Sequence, residues 1–382
     1  MFASRKLTSP VFACPSCGDV QRPRGAPTVC RCGHPLEVRF AWKGNPPARE
    51  SVDTRARSLW RYRSVLPPIT GQKIVSLGEG WTPLTAGGEY DGARLWFKDE
   101  TVNPTGSFKD RGMAMAISHL RAYGIGSVSL PSAGNAGVSA AAYCQRAGMR
   151  CHVYFPGSVP AAFVSEVRGY GARVTLAGES LAEAARTMEK EKNVHRFDLS
   201  TLKEPFRVEG KKTLGYEIAE QMNWEFPDVV VYPTGGGTGL IGMWKAFREM
   251  SQMGWVEGNR PRMVAVQSDR CAPVVEAFIK GRETVVPFRG GETAALGLDA
   301  PAPIGGPWML RVLRESGGTA VTAEEAEIEP ARKRLGLLSG TDPSPEGGVA
   351  WLGFEKLAES GWIGPGEQAV VVITGSQIRY RS

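Results

Sequence analysis

VVVYPTGGGTGLIGMWKAF, residues 229–247, contains a β-branched run, a glycine-rich turn and a helical pattern, in that order. The run at residues 229–232 is short and apolar, which is typical of a strand buried on both faces. After the turn, apolar residues recur at the spacing of one helix face: Leu240, Met243, Trp244 and Phe247. The segment therefore predicts a strand that leads directly into an amphipathic helix.

The same alternation of strand and helix extends along the chain on both sides of this segment. Strand-like runs lie at residues 128–130, 151–155, 174–176, 263–266 and 370–373. Helical patterns lie between runs of this kind, at residues 137–147, 180–192 and 213–224. This alternation predicts an α/β fold with parallel strands and helices on both faces of the sheet. Residues 283–320 are rich in Gly and Pro, and we expect them to be mostly loop.

The composition fits a globular protein of more than one domain. The chain has 382 residues, 42% hydrophobic and 22% charged, and no apolar run is long enough to cross a membrane. No apolar stretch follows residues 1–6, so we predict no secretory signal and expect a cytoplasmic protein. The net charge of +7 is scattered, without a basic block. We therefore expect a small-molecule ligand, which could be anionic, and neither nucleic acid nor a membrane as partner.

Two pairs of cysteines lie near the amino terminus. Cys14-Pro15-Ser16-Cys17-Gly18 is a tight turn, and Cys30-Arg31-Cys32-Gly33 follows after twelve intervening residues. Four thiolates in this arrangement suit a structural, tetrahedral zinc ion in a zinc-ribbon-like extension. The second pair is Cys-x-Cys instead of Cys-x-x-Cys, and His34 could replace one ligand. The alternative is a degenerate ribbon that folds without metal.

A lysine stands in the first turn of a predicted helix in the segment Asn103-Pro104-Thr105-Gly106-Ser107-Phe108-Lys109-Asp110-Arg111-Gly112. Pro104 and Gly106 interrupt regular structure, and Ser107 can cap the helix that follows. The positive end of the helix dipole is a poor place for a merely stabilising cation, so Lys109 is a candidate covalent amine. Taken alone, the segment is better explained by a surface lysine.

Three further segments follow predicted strands, where ligands bind in open parallel sheets. Ser132-Ala133-Gly134-Asn135-Ala136-Gly137 lets backbone N–H groups approach an anion such as a substrate carboxylate. Pro233-Thr234-Gly235-Gly236-Gly237-Thr238-Gly239 offers a nest of N–H donors for a phosphate, although it matches neither the Rossmann nor the Walker pattern. Ile373-Thr374-Gly375-Ser376 could turn the Thr374 hydroxyl toward a cofactor. Each segment alone could also be an ordinary turn or strand end.

Together these segments resemble the fold-type II enzymes that use pyridoxal phosphate (PLP), the group of tryptophan synthase β, cysteine synthase, threonine dehydratase and threonine synthase. The resemblance covers roughly residues 75–380. Within this group the chain looks most similar to threonine synthases, because of the cysteine ribbon and three segments. These are Leu77-Gly78-Glu79-Gly80-Trp81-Thr82-Pro83-Leu84, residues 103–112 and Glu209-Gly210-Lys211-Lys212-Thr213.

The resemblance implies a role for each matching residue. Lys109 would hold PLP as a Schiff base and later move the α-proton of the substrate. Asn135 would hydrogen-bond the 3-hydroxyl oxygen of the cofactor, and Thr374 would meet its pyridine nitrogen. The substrate carboxylate would be bound by Ser132, Ala133, Gly134, Asn135 and Ala136. The PLP phosphate would be bound by Gly235, Gly236, Gly237, Thr238 and Gly239.

The resemblance also implies a domain organisation and a homodimer. Behind the ribbon at residues 1–40, we expect a large PLP-binding domain at residues 41–96 and 206–382. A small domain at residues 97–205 would carry the Schiff-base lysine. The active site would then lie in the cleft between the two domains.

The implied reaction converts O-phospho-L-homoserine and water into L-threonine and phosphate. The substrate phosphate then needs its own anion site, for which the sequence offers Ser107, Asp110, Arg111, Lys211, Lys212 and Arg379. The chain departs from the threonine synthase pattern in its glycine loop and in its ending, which reads Thr374-Gly375-Ser376-Gln377-Ile378-Arg379. A serine/threonine dehydratase, or a β-replacement enzyme that makes cysteine or cysteate, is therefore an alternative. The intact lysine, asparagine, glycine loop and threonine argue against a non-catalytic regulator.

Overall fold

A computed structural model gives the structure of the protein and describes residues 10–22, 25–42, 44–191 and 196–381. The start at residues 1–6, from which we predicted no secretory signal, lies outside the described residues. So does Lys192, the last residue of the helix predicted at 180–192. No helix in the described part of the chain combines the length and apolar character that crossing a membrane requires.

The amino-terminal segment forms a small antiparallel sheet of its own. Its strands are β1 (Val11–Ala13), β2 (Val20–Gln21) and β3 (Glu37–Arg39), in the order β2-β1-β3. Phe12 on the central strand is paired with Gln21 on one side and with Val38 on the other. The two cysteine pairs lie in the turns beside these strands, as a ribbon requires.

Two larger sheets are built almost entirely from parallel strands. The six-stranded sheet has the order β12-β11-β10-β13-β5-β4, and only β4 is antiparallel to its neighbour. Its strands are β4 (Leu84–Tyr90), β5 (Ala93–Asp99), β10 (Val229–Pro233), β11 (Arg262–Ser268), β12 (Thr319–Ala323) and β13 (Gln368–Ile373). The four-stranded parallel sheet has the order β8-β7-β6-β9, with β6 (Ser127–Pro131), β7 (Arg150–Phe155), β8 (Arg173–Leu176) and β9 (Phe197–Asp198).

Ten α-helices of the described chain pack against these sheets. They are α1 (Lys109–Ala122), α2 (Asn135–Ala147), α3 (Ala161–Gly169), α4 (Leu181–Lys190), α5 (Phe206–Gln221), α6 (Thr238–Met253), α7 (Pro273–Ile279), α8 (Gly306–Glu315), α9 (Ile328–Ser339) and α10 (Pro345–Glu359). Short 3₁₀ helices lie at Arg49–Ser51, Leu59–Val65, Gly71–Lys73, Leu296–Leu298, Glu325–Glu327 and Gln377–Arg379.

Alternate residues of the central strands belong to different hydrophobic clusters. Val230 on β10 and Val370 on β13 pack with the residues of α5 and α6, whereas Val231 and Val371 pack with Trp351 and its neighbours on α10. Both faces of the large sheet are therefore covered by helices, as near-continuous apolar strands require. The predicted α/β fold with an amino-terminal ribbon-like extension is confirmed, while the exact domain boundaries stay predictions.

Most of residues 283–320 is loop, as predicted, although α8 and the start of β12 lie within this segment. The bounds of one predicted helix were wrong. The helix predicted at 213–224 begins at Phe206 and ends at Gln221. It begins early because the Glu204 carboxylate accepts hydrogen bonds from the first backbone N–H groups, those of Phe206 and Arg207. It ends early because Asn223 and Trp224 adopt positive φ angles of 58° and 62°.

Candidate active site

A cavity of about 340 Å³ lies where the carboxyl ends of β6, β10 and β13 face the start of α1. This volume is in the range of sites for small organic ligands. Its wall includes most of the predicted site residues: Lys109, Ser132, Ala133, Gly134, Asn135, Ala136, Gly235, Gly236, Gly237, Thr238 and Thr374. Gly239 does not line the cavity; a Cβ atom there would lie 2.1 Å from the Tyr232 hydroxyl, so this glycine serves helix packing.

Lys109 is the first residue of α1 and lines the cavity. The turn before it is fixed to the end of β13, because the Phe108 N–H donates to the Thr374 carbonyl at 3.0 Å. The buried Asp110 carboxylate accepts hydrogen bonds from the Thr105 backbone and hydroxyl and, at 2.6 Å, from the Ser139 hydroxyl on α2. These bonds hold the turn, α1 and α2 together and so fix the backbone from which the lysine projects.

Ser107 does not cap α1, contrary to the sequence prediction. Its carbonyl accepts from the Asp110 N–H, but its side chain makes no capping hydrogen bond. The reason is that Ser107 forms a bridge with Gly375, which places it on the cavity wall instead. Its hydroxyl is buried and has no hydrogen-bond partner within the described part of the chain, so it is available to a ligand.

The environment of Lys109 favours the uncharged amine. Burial, and then the nearby Arg207 guanidinium, lower the pKa of Lys109 from 10.5 to about 8, while Glu346 acts in the opposite direction. The Lys109 Nζ also lies 4.4 Å from the centre of the Phe108 ring. A lysine with a lowered pKa is a nucleophile near neutral pH, which Schiff-base chemistry requires.

The loop after β6 presents the amino terminus of α2 to the cavity. The Ser132 hydroxyl accepts hydrogen bonds from the backbone N–H groups of Gly134 and Gly137, which closes the loop. Gly134 has φ 157°, and a Cβ atom there would lie 3.2 Å from the Phe163 ring. Asn135 is the first residue of the 13-residue helix α2, so the positive end of the helix dipole faces the cavity.

The glycine loop after β10 has no room for side chains. A Cβ atom added at Gly235 would lie 2.6 Å from the Gly297 carbonyl oxygen, and one added at Gly236 would lie 2.9 Å from Thr201 Cγ2. Gly237 has φ +80° and would bring a Cβ atom to 2.1 Å from the Met309 sulfur. The loop leads into the 16-residue helix α6. Backbone N–H groups that no side chain covers, at the start of a long helix, are suited to binding phosphate. The loop therefore fits the phosphate of PLP.

The end of β13 brings Thr374 beside the Asn135 loop. A Cβ atom at the next residue, Gly375, would lie 3.2 Å from Ser107 Cβ and 3.4 Å from Asn135 Nδ2. The Asn135 side-chain oxygen accepts a hydrogen bond of 3.4 Å from Arg379. Hydroxyl and amide groups from three separate segments therefore meet on one side of the cavity, where they can orient a polar ring.

Three of the cations proposed from sequence for a substrate phosphate are already paired. Arg111 is fully buried between Glu100 and Glu217, at 2.6 Å from each. Lys212 pairs with two glutamates of α5 and α6, and Arg379 pairs with Glu166 on α3. None of these cations lines the cavity. Their charges stabilise the fold instead of an incoming ligand.

Arg207 is a cavity residue that the sequence analysis missed. It lies on the first turn of α5, is 2% exposed and lines the cavity. One Nη donates to the Leu199 carbonyl, but the buried Nε has no partner in the described chain. One turn later, the buried Nζ of Lys211 also lacks a partner there and lies 3.4 Å from the centre of the Phe108 ring. The sequence did contain a signal for this residue. Arg207 lies only two residues before the segment from Glu209 to Thr213, which the sequence analysis singled out.

Arg207 has a weak counter-charge in Glu204. Burial raises the pKa of Glu204 to about 7, although Arg207 and two backbone N–H groups oppose this shift. Near neutral pH the carboxyl is therefore partly protonated. The amino-terminal end of α5 consequently directs net positive charge at the cavity, which suits an anionic group of the ligand.

The four amino-terminal cysteines lie together, with all Sγ atoms within 4.8 Å of one another. The Cys14 and Cys32 sulfurs are 3.5 Å apart, and those of Cys17 and Cys30 are 3.6 Å apart. Tetrahedral zinc with bonds of about 2.3 Å places sulfurs roughly 3.8 Å apart, so the cluster fits this ion. His34 lies beside the cluster, 3.6 Å from the Cys32 sulfur.

Comparison with known proteins agrees with this geometry. The sequence profile of the family described as "Pyridoxal-phosphate dependent enzyme" matches residues 75–375. The threonine synthase of Methanocaldococcus jannaschii is 34% identical over 361 residues, which cover 92% of this chain and 88% of that protein. The threonine synthase of Methanosarcina acetivorans is 30% identical, over 96% of this chain and 91% of its own length.

Solved structures with the same fold are more distant in sequence. The processed form of threonine deaminase isoform 2 from Solanum lycopersicum superimposes with a TM-score of 0.66 at 22% identity, over 77% of this chain and 79% of that one. Maize serine racemase gives a TM-score of 0.65 at 20% identity, over 77% and 88%. The profile match, the two relatives and the shared fold show that this chain belongs to the family of pyridoxal-phosphate-dependent enzymes of fold type II.

Proposed function

We propose that the protein is a threonine synthase, a lyase that converts O-phospho-L-homoserine and water into L-threonine and phosphate. The observation that carries this proposal is a cavity with two walls that suit anions. One is the glycine loop at the start of α6, and the other is Arg207 on α5, whose buried Nε has no partner in the described chain. PLP brings one phosphate, and a phosphorylated substrate brings a second. The similarity to two threonine synthases over most of the chain supports the same function.

The cofactor would be held by residues from both parallel sheets. Lys109 would bind PLP covalently, the glycine loop would bind its phosphate, and Asn135 and Thr374 would contact its ring. When bound, PLP supplies an electron sink for the carbon atoms of the substrate amino acid. A hydroxyl at Thr374, unlike a carboxylate, does not force the pyridine nitrogen to be protonated.

The chain's own groups would bind the substrate and move its protons. The backbone N–H groups of residues 132–136 would bind the substrate carboxylate at the start of α2. Lys109, with its pKa of about 8, would take a proton from the substrate α-carbon and return a proton later. Arg207 would bind the leaving phosphate, which a guanidinium can contact through two parallel hydrogen bonds.

The cysteine cluster, we propose, binds one structural zinc ion. Four protein thiolates complete a tetrahedral shell and leave no open position for a substrate, so this metal would stabilise the structure and take no part in the chemistry. A homodimeric assembly and a cytoplasmic location remain predictions of the same proposal.

A serine/threonine dehydratase is the second candidate function. It is favoured by one observation, the sequence Gly235-Gly236-Gly237-Thr238-Gly239 of the phosphate loop. This loop resembles those of dehydratases and of cysteine-forming enzymes more than those of threonine synthases. The solved threonine deaminase structures do not strengthen it, since identities of 22% and 23% show the fold alone. A dehydratase would also leave Arg207 without a phosphate to bind.

Product analysis separates the two candidates. Protein saturated with PLP is offered O-phospho-L-homoserine, L-threonine, L-serine and O-acetyl-L-serine in parallel. We expect threonine and inorganic phosphate in equal amounts from the first substrate, and inorganic phosphate should compete with it. Release of ammonia and a 2-oxo acid from threonine or serine, with O-phospho-L-homoserine untouched, would make the dehydratase the correct assignment.

Replacing Arg207 tests its proposed role directly. Arg207→Met should lower kcat/KM for O-phospho-L-homoserine by roughly 30-fold or more, because losing one partner of a buried charged contact costs about 2–5 kcal/mol. PLP binding should persist, because the glycine loop is unchanged. Arg207→Lys should recover part of the loss, and Arg146→Met, which removes an exposed arginine of α2, should have no effect. Unchanged competition by inorganic phosphate in Arg207→Met would contradict the assignment.

A further inference from the structure

Glu346 is a buried acid on the cavity wall that the proposed chemistry does not use. It is the second residue of α10 and is 4% exposed. One carboxylate oxygen, Oε1, accepts hydrogen bonds from the Gly297 N–H at 2.8 Å and from the Tyr380 hydroxyl at 2.9 Å. The carboxylate is thus anchored on one side by the 3₁₀ helix at Leu296–Leu298 and on the other by the carboxyl-terminal segment.

The second carboxylate oxygen, Oε2, is buried without a hydrogen-bond partner in the described chain. A buried charged group that lacks a partner costs free energy, so such an oxygen in a ligand site marks a place where a donor arrives during function. Glu346 lines the same cavity as Lys109, Arg207 and Thr374. A hydrogen-bond donor on another residue of that wall, or on a bound ligand, therefore lies in the same cavity as Oε2.

Lys109 is the cation of the cavity wall whose charge Glu346 stabilises. Arg207 lowers the pKa of Lys109, whereas Glu346 is the group that raises it. Lys211 adds a further amine behind the Phe108 ring. Tyr380, which packs against Glu346, has its pKa raised well above the usual value by burial and by Glu346, so it stays uncharged. Of the two acids that line the cavity, Glu346 and Asp299, Glu346 is thus the one that favours the ammonium form of Lys109.

We propose that Glu346 is a positioning residue for Lys109, whose free Oε2 accepts a hydrogen bond from the Lys109 ammonium once that amine has taken the substrate proton. The proposal rests on the proton-moving role of Lys109 in the proposed function. A proton leaves the substrate α-carbon for the Lys109 Nζ, and the same Nζ later donates it to a carbon of the product. Glu346 gains no proton in either step; it stabilises the charge that Lys109 carries between them.

A merely structural role for Glu346 is the competing explanation, because an acid in the first turn of a helix and two anchoring hydrogen bonds would also stabilise the fold. Glu346→Gln separates the two explanations. Its amide oxygen can still accept from Gly297 and Tyr380, while the group at the position of Oε2 loses its charge and becomes a donor. Tyr380→Phe is the complementary variant, since it removes one anchor and keeps the carboxylate. Glu359→Gln, at the exposed end of the same helix, is the matched control.

The test measures the reactivity of Lys109 in protein freed of cofactor. The rate of acetylation of Lys109 by acetic anhydride is followed by peptide mass spectrometry from neutral to alkaline pH. The wild-type midpoint is expected at about 8. Glu346→Gln should lower this midpoint by about one pH unit or more, the shift typical of losing a nearby opposite charge. Tyr380→Phe and Glu359→Gln should leave it unchanged, and Glu346→Asp should lie closer to wild type than Glu346→Gln does.

A Glu346→Gln midpoint equal to that of wild type would overturn the proposal, and so would a Glu346→Asp midpoint shifted as far as that of Glu346→Gln. In the loaded enzyme, the acid limb of the pH profile of kcat should move to lower pH in Glu346→Gln, with KM little changed. The labelling experiment contains no substrate. Its result therefore stands even if O-phospho-L-homoserine proves not to be the substrate.

Discussion

Arg111 and Arg207 are both buried arginines, and their hydrogen-bond partners decide what each can do. Arg111 contacts Glu100 and Glu217 at 2.6 Å, and Glu217 also binds the buried Lys98 at 3.0 Å. This network ties β5 to α1 and α5. Arg207, in contrast, has a buried Nε without a partner in the described chain and faces the cavity. Arg111, which is paired with carboxylates, therefore stabilises the fold, whereas Arg207 can bind a ligand.

Removing Arg111 should destabilise the protein strongly. Arg111→Met leaves two buried carboxylates with Lys98 as their remaining cation, and breaking a buried pair in this way costs about 3–5 kcal/mol. Urea unfolding followed by circular dichroism measures the change in the free energy of unfolding. Arg334→Met, which breaks a more exposed pair with Glu355, should cost about 1 kcal/mol or less. Equal stability of the two variants would show that the buried network is not what holds these elements together.

The ribbon is an element whose core continues into the main fold. The Phe12 ring on β1 packs edge-on against Phe206, with ring centres 6.0 Å apart, and Phe206 is the residue before Arg207. The carbonyl of Val38 on β3 accepts a hydrogen bond from Lys245 on α6. The apolar residues of the ribbon belong to the same cluster as those of α1. A metal that orders the ribbon would therefore also support the helices that carry the site.

The zinc prediction can be checked by elemental analysis. Reduced protein should contain about one zinc ion per chain, and the double variant Cys14→Ser with Cys17→Ser should contain none. The double variant should unfold at lower temperature, while its rate per folded molecule changes less, because four thiolate ligands leave the proposed metal no open position for a substrate. Cys271→Ala, which alters a buried cysteine outside the ribbon, should keep its zinc. Fully reduced wild-type protein without zinc would support the degenerate ribbon instead.

The elements differ in how well the sequence predicts them. The six strand-like runs were placed correctly. Five of them are buried on both faces and leave a continuous apolar signal, whereas the run at 174–176 is an edge strand that is only partly buried. The first turns of α5 were missed because they do not show the apolar stripe of an amphipathic helix. They are buried on all sides and include charged residues, such as Glu209 and Lys212, that pair with each other. Helix α8 was missed because Pro307 and its neighbouring glycines suggested a loop, although Pro is favourable at a helix start.

The cavity residues also differ in how well the sequence predicts them. Lys109, the Asn135 loop, the glycine loop and Thr374 could be identified in advance, because each follows a local signal of turn or strand end. Arg207 and Glu346 could not, because their significance depends on which partners they lack in three dimensions. An arginine inside a helix and a glutamate in a first helical turn are ordinary features of a sequence.

The cavity forms because the carboxyl ends of strands from two separate sheets lie beside the start of α1. The small sheet contributes the Asn135 loop through β6, and the large sheet contributes the glycine loop through β10 and Thr374 through β13. Helices α1 and α5 pack against each other and contribute Lys109 and Arg207. No single layer contains the site, so its chemistry depends on the assembly of both.

Chemical trapping tests whether this cavity holds PLP on Lys109. Protein incubated with PLP is reduced with borohydride, digested, and analysed by mass spectrometry. We expect one pyridoxyl group per chain, on the peptide that contains Lys109, and no turnover in Lys109→Ala, because this amine both anchors the cofactor and moves the proton. A pyridoxyl group on Lys211 or on a surface lysine, or near-normal activity of Lys109→Ala, would show that Lys109 is not the residue that holds the cofactor.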